Sequence, residues 1–112
     1  MKIYVIGLGP GGFDSMTKRA LNAIEECDVI TGYTYYIDLI RDRIEGKEIY
    51  SSGMKKETER CKKAVEYALS GKTVAMVSSG DAGVYGMAGI IYECAEPYPQ
   101  IEIEVIPGIT AA

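Results

Sequence analysis

Gly7, Gly9 and Gly12 in the stretch VIGLGPGGFD spell G-x-G-x-x-G directly behind the apolar run IYVIG. Between a strand and a helix, that spacing can cradle the pyrophosphate of a dinucleotide. The neighbouring residues do not support such a site. A dinucleotide fold places an acidic residue at the end of its second strand, roughly 20 residues further on, for the ribose hydroxyls. Here that strand ends in Thr31, Gly32 and Tyr33, and Asp28 stands at its opposite end. Pro10 removes a backbone donor from the loop, and the helix signals begin only near Ser15. No G-K-[ST] follows the glycines, so the loop is not a Walker A loop either. It reads as a ligand loop of another kind.

A second candidate is SSGDAGVYG, in which Asp81 lies between Gly80 and Gly83 at the end of a continuous apolar strand, KTVAMVSS. Its carboxylate can cap the following helix, or accept a hydrogen bond from a ribose, an amine or another ligand group. Glycine on either side lets the backbone come close to such a ligand. The two roles are compatible. Tyr85 either packs on a planar ligand or joins the core.

The inventory also excludes chemistries. Histidine is absent, which removes the commonest general base and transition-metal ligand. No Ser–His or Cys–His pairing and no metal-ligand cluster is present. Cys27, Cys61 and Cys94 are widely spaced without a C-x-x-C pair, and Cys61 and Cys94 fall on helical apolar faces as packing residues. A reaction that needs mainly orientation fits this set. Methyl transfer from a sulfonium is one, because the donor arrives activated.

The elements that must position these residues follow from periodicity. Strands are expected at Lys2–Ile6, CDVITG, KEIYSS, KTVAMVSS and IEIEVIPG, helices at DSMTKRALNAIEE, KKETERCKKAVEYALSG and VYGMAGIIYECAE, and a helix or helical turn at YTYYIDLIRDRI. The first helix takes Asp14 or Ser15 as N-cap and buries Met16, Ala20, Leu21 and Ile24. The third buries Cys61, Ala64, Val65, Ala68 and Leu69 and ends at Gly71. Strands alternating with helices predict an α/β fold, a parallel sheet of about five strands with helices on both faces. Ligands then bind at the carboxyl ends of the strands, and five glycine- or serine-rich segments converge there: GLGPGG, TGYTYY, SSGM, SSGDAGVYG and PGITAA.

A chain of 112 residues, 47% hydrophobic and 25% charged, has room for one domain of ordinary globular composition. A net charge of −4 and a pI near 4.8 argue against nucleic-acid and anionic-membrane partners. No run reaches the roughly 20 apolar residues of a membrane span, the start is too short for a signal peptide, and the cysteine usage predicts the cytoplasm. The last residues, PGITAA, read as a strand-to-helix junction, so the expectation is one domain of a longer protein.

Taken together, GLGPGGFDSMT, SSGDAGVYG and VIPGITAA resemble the tetrapyrrole methylases, and TGYTYYIDLI and SSGMKKETERC resemble the subgroup that methylates a corrin precursor at C17. The resemblance covers essentially the whole chain. It implies that residues 1–112 are the N-terminal α/β domain of a two-domain enzyme of cobalamin synthesis, with the C-terminal domain absent. The implied cofactor is S-adenosyl-L-methionine, held between the domains. Pro10, Ser79, Gly80, Asp81, Val84, Thr110 and Ala111 would line this half of the donor site, and Gly9, Gly11 and Tyr33 would face the tetrapyrrole. The implied reaction is methylation of C17 of precorrin-3B or cobalt-factor III with ring contraction, and the implied assembly is a homodimer of the full-length protein. Tyr33, Tyr35 and Tyr36 would form an aromatic wall for a flat substrate or cover the sheet edge. Two departures stand out. The usual G-P-G-D-P loop is GPGGF here, and Tyr33 lies close to where sirohaem-type relatives carry an Asp proposed as a base, so no catalytic base and no metal are assigned. The alternatives are a methylase of the same fold acting on a non-tetrapyrrole, or a non-catalytic nucleotide-binding module.

Overall fold

The computed structural model describes residues 1–8, 16–53, 56–79 and 81–108, apart from the side chains of residues 79 and 81–83. Five strands, β1 (Lys2–Leu8), β2 (Val29–Tyr33), β3 (Glu48–Ser52), β4 (Thr73–Ser79) and β5 (Glu102–Ile106), form one sheet in the order β3-β2-β4-β1-β5. Every neighbouring pair is parallel. Helices α1 (Lys18–Glu26), α2 (Thr34–Leu39), α3 (Glu57–Leu69) and α4 (Asp81–Ala95) connect them, with a 3₁₀ turn at Arg41–Arg43.

Alternate residues of the inner strands feed two separate cores, as a period of two requires. Ile3, Val5, Val29, Val74 and Met76 pack with Cys61, Ala64 and Ala68 of α3 and Val84, Ala88 and Ile91 of α4. Tyr4, Ile6, Ile30, Ala75 and Val77 pack with Ala20 and Ile24 of α1 and Ile37 of α2. The expected helices on both faces are therefore α3 and α4 on one side, α1 and α2 on the other. The continuous apolar run of β4 belongs to the central strand, buried from both sides.

Three helices differ in extent from expectation, and one of them is YTYYIDLIRDRI, in which α2 stops at Leu39 and a 3₁₀ turn follows at Arg41–Arg43. The N-cap of α1 is Thr17, whose hydroxyl accepts from the Ala20 amide at 3.1 Å, not Asp14 or Ser15, which lie outside the described residues. Thr17 wins because an N-cap oxygen must reach the amide three residues on, and the buried stripe Ala20, Ala23 and Ile24 sets where the helix begins. Met16 is buried just ahead of the helix, and Leu21 is half-buried. Helix α4 starts at Asp81, earlier than Val84.

The third helix ends as its sequence suggests. Gly71 has φ +96°, the Gly71 amide donates to the Ala68 carbonyl at 3.0 Å and the Lys72 amide to the Tyr67 carbonyl at 3.2 Å, a Schellman closure. Lys47 Nζ closes α1 from a distance, donating to the Glu25 and Cys27 carbonyls at 2.9 and 2.6 Å. Strand β5 is an edge, and its Ile/Glu alternation is half-exposed as expected. Lys2 pairs with Glu102 and Glu104, and Arg19 pairs with Glu104 at 2.6 Å, which places charge along that edge. Among the described residues no helix is long and apolar enough to cross a membrane.

Candidate functional site at the carboxyl edge of the sheet

Strand order determines where a ligand can enter. From β1 the chain crosses on the α1 face, past β4, to reach β2; from β4 it crosses on the α4 face, past β1, to reach β5. The two connections leave neighbouring strands in opposite directions, which opens a crevice at their carboxyl ends. Leu8 and Ser79 are the paired last residues of β1 and β4 and stand at its base.

The crevice is built from backbone and small residues because larger ones do not fit. A Cβ on Gly7 would lie 2.6 Å from the Gly108 amide nitrogen, so β1 and the exit of β5 are in backbone contact there. A Cβ on Gly32 would lie 2.7 Å from Val77 Cγ2 and 3.1 Å from the Val77 carbonyl oxygen. Both glycines serve close approach, and neither has positive φ. Beside Gly32 in β2, the Thr31 hydroxyl is fully buried and donates to the Ala75 carbonyl at 3.0 Å, with Met76 Sδ at 3.3 Å. Asp28 lies at the far edge, accepting from the Thr73 amide at 2.9 Å. Its role is to tie β2 to β4, so the carboxylate that a dinucleotide ribose needs is missing from the end of β2.

The structure brings several of the expected site residues together. Ser79 ends β4, Asp81 opens α4, and Val84, fully buried, lies in the first turn of that helix. Tyr33 ends β2, the strand beside β4. Gly9, Pro10, Gly11, Gly80, Thr110 and Ala111 lie outside the described residues, as do the side chains of Ser79 and Asp81. The three tyrosines form one cluster, with ring centroids 5.4 Å (Tyr33–Tyr36), 5.7 Å (Tyr35–Tyr36) and 6.4 Å (Tyr33–Tyr35) apart. Tyr35 is exposed, and so is Tyr85, which is not a core residue.

One buried group was missed in the sequence. Arg60 is 6% exposed, and its Nη1 donates to Ser52 Oγ and to the Gly53 carbonyl, both at 3.0 Å, at the carboxyl end of β3. A signal for it existed: Arg60, Ala64 and Ala68 are spaced four apart on the stripe that α3 buries.

The cysteines are structural. Burial pushes the Cys27 and Cys61 thiols up to about 12, whereas Cys94 is half-exposed. At pH 8, iodoacetamide is expected to label Cys94 alone in the native protein and all three in urea, as read by intact mass. The folded state holds both buried protons more tightly than the unfolded chain. This contribution is therefore complete below the ordinary thiol value of 9.0 and is lost as pH rises toward 12. Among the described residues no three His, Cys, Asp or Glu side chains are grouped to hold a metal ion. A groove of about 360 Å³ between α1 and β5 is lined by Tyr4, Arg19, Glu26 and Glu104. Those groups already pair with each other, Tyr4 to Glu26 and Arg19 to Glu104, both at 2.6 Å.

Comparison with known proteins agrees with this geometry. Residues 2–112 match the tetrapyrrole (corrin/porphyrin) methylase family. A cobalt-factor III methyltransferase of Priestia megaterium is 50% identical over 115 residues, an alignment covering 98% of this chain and 21% of that protein. The crystal structure of the methyltransferase CobJ superimposes with a TM-score of 0.80 at 38% identity, covering 97% of this chain and 46% of that one. A uroporphyrin-III C-methyltransferase from Thermus thermophilus, solved with S-adenosylhomocysteine, shares the fold at a TM-score of 0.72 and 22% identity. The chain thus spans less than half the length of each of these three proteins.

Proposed function

The chain belongs to the tetrapyrrole (corrin/porphyrin) methylase family, and from that premise we propose that it supplies the N-terminal half of an S-adenosylmethionine-dependent C-methyltransferase acting on a corrin precursor in cobalamin biosynthesis. The substrate is precorrin-3B or cobalt-factor III, methylated at C17 with ring contraction. The observation that carries this reading is the 50% identity to a cobalt-factor III methyltransferase across 98% of the chain. The switch-point crevice between β1 and β4 supports it.

The residues present fit the methyl donor. The backbone contact between Gly7 and Gly108 leaves a side-chain-free rim. In this reading Pro10, Ser79, Gly80, Asp81, Val84, Thr110 and Ala111 hold the donor, and Gly9, Gly11 and Tyr33 face the macrocycle. S-adenosylmethionine, when bound, supplies an electrophilic methyl group. The work of this chain is to orient and to exclude water: Asp81 accepts from the donor's polar groups, and the Tyr33–Tyr35–Tyr36 cluster offers ring faces and edges to a flat substrate. No side chain is assigned as base. The working assembly is a cytoplasmic homodimer of a longer, two-domain chain, for which the exposed Tyr85 and Tyr92 of α4 offer apolar surface to bury.

An NMR titration of the ¹⁵N-labelled chain with S-adenosylhomocysteine, and separately with NAD, tests the reading. Shifts are expected from S-adenosylhomocysteine at Leu8, Ser79–Val84 and Gly108, with none from NAD. Shifts from NAD at the end of β1 in place of these would replace the methyl donor with a dinucleotide.

A further inference from the structure

We propose that Arg60 is a carboxylate-binding residue of this site, presenting one edge of its guanidinium to an anionic group of a ligand. The inference rests on the methylase reading above and extends it to a residue outside the donor and substrate sets already named.

Among the described residues Arg60 is the one charged side chain that is buried. Removing a guanidinium from water is costly unless an anion or a full set of acceptors replaces the solvent. The acceptors that Arg60 has are both neutral and both taken by one nitrogen: the two Nη1 hydrogens go to Ser52 Oγ and the Gly53 carbonyl. A guanidinium carries five N–H donors. The remaining three, on Nε and Nη2, meet no acceptor among the described residues, and the ion pairs there involve Lys2, Arg19, Arg41, Lys56, Lys63 and Lys72 but not Arg60. Nε–H and Nη2–H lie side by side on the edge away from Nη1, and that edge matches the two oxygens of a carboxylate.

Location supports a ligand as the source. The anchor is the carboxyl end of β3, on the same edge of the sheet as the crevice. Ser52 pairs in register with Tyr33, and β2 alone separates β3 from β4. At about 4.8 Å per strand, the Arg60 anchor lies roughly 10 Å from the end of β4. Nothing lies within 4 Å of where a side chain on Gly53 would sit, so the chain beside the anchor borders open space. Both ligands of the proposed reaction carry carboxylates: the amino-acid part of the methyl donor, and the peripheral acid side chains of the macrocycle.

The test is calorimetric titration of the chain with S-adenosylhomocysteine and with uroporphyrin, a tetrapyrrole octacarboxylate, for wild type, Arg60→Met, Arg60→Lys and Ser52→Ala. One of the two ligands is expected to bind at least about tenfold more weakly to Arg60→Met. Arg60→Lys, which keeps the charge but not the fork, is expected to fall between Arg60→Met and wild type. Ser52→Ala, which loosens the anchor and spares the fork, is expected to stay within about threefold of wild type. Loss confined to S-adenosylhomocysteine identifies the donor carboxylate as the partner; loss confined to uroporphyrin identifies the substrate. If Arg60→Met does not unfold cooperatively, Arg60→Lys carries the comparison. Wild-type affinity for both ligands in a cooperatively folded Arg60→Lys overturns the inference and leaves the methylase reading intact. A wild-type chain that binds neither ligand overturns the inference for this chain, while the family assignment stands on the match over residues 2–112.

Discussion

Replacing Gly7 by alanine is expected to lower the stability of the chain by about 3 kcal/mol, near the top of the range for overpacking. It is also expected to weaken S-adenosylhomocysteine binding at least tenfold. The added Cβ would sit 2.6 Å from the Gly108 nitrogen, with the Gly108 Cα and the Pro107 carbonyl carbon both at 3.4 Å. All three are backbone atoms, so no side chain can rotate away, and the end of β1 must separate from the exit of β5. Glycine is not required for its conformational range, since Gly7 lies within β1 without positive φ; the requirement is space. Gly46 is the contrast. It has φ +83° and open space around it, so alanine there strains the backbone without meeting a neighbour. Urea denaturation gives the stability change and calorimetry the binding change. A Gly7→Ala protein with wild-type midpoint and affinity would mean that the contact between β1 and the β5 exit relaxes freely and does not shape the rim.

Met76→Ala is expected to cost about 2–5 kcal/mol, a large part of the 5–15 kcal/mol that holds a domain of this size together. Met76 is fully buried in the central strand β4 and belongs to the core under α3 and α4. Its sulfur also lies 3.3 Å from the buried Thr31 hydroxyl. Met76→Leu separates the two contributions. It keeps the volume and loses the sulfur, and it is expected to cost less than about 1.5 kcal/mol, because Thr31 retains the Ala75 carbonyl as its main acceptor. Urea midpoints for the pair check this, and equal losses in both variants would assign the effect to the sulfur rather than to the cavity.

Much of the fold and part of the candidate site could be read along the chain. Periodicity located the five strands and four α-helices of the described residues, and Gly71 marked the end of α3, because these features depend on residues within a few positions of one another. The run KTVAMVSS announced a strand buried on both faces. The segments that meet at the carboxyl edge were legible from the placement of glycine and serine after each strand. Helix starts were less so: several Ser, Thr and Asp residues stand near the beginning of α1, and packing of Ala20, Ala23 and Ile24 on the sheet selects Thr17 among them.

The order β3-β2-β4-β1-β5 is different in kind. It depends on which strand each crossover passes, a choice made by the fit of two helices to each face of a twisted sheet, and it places the switch point between β1 and β4. The need for glycine at position 7 likewise comes from a contact with Gly108, about a hundred residues away. The burial of Arg60 against Ser52 and Gly53 follows from how α3 docks beside β3. Local pattern settles which segments fold and which residue types reach the sheet edge; long-range packing settles which of them become neighbours, because that free energy belongs to contacts no short stretch contains.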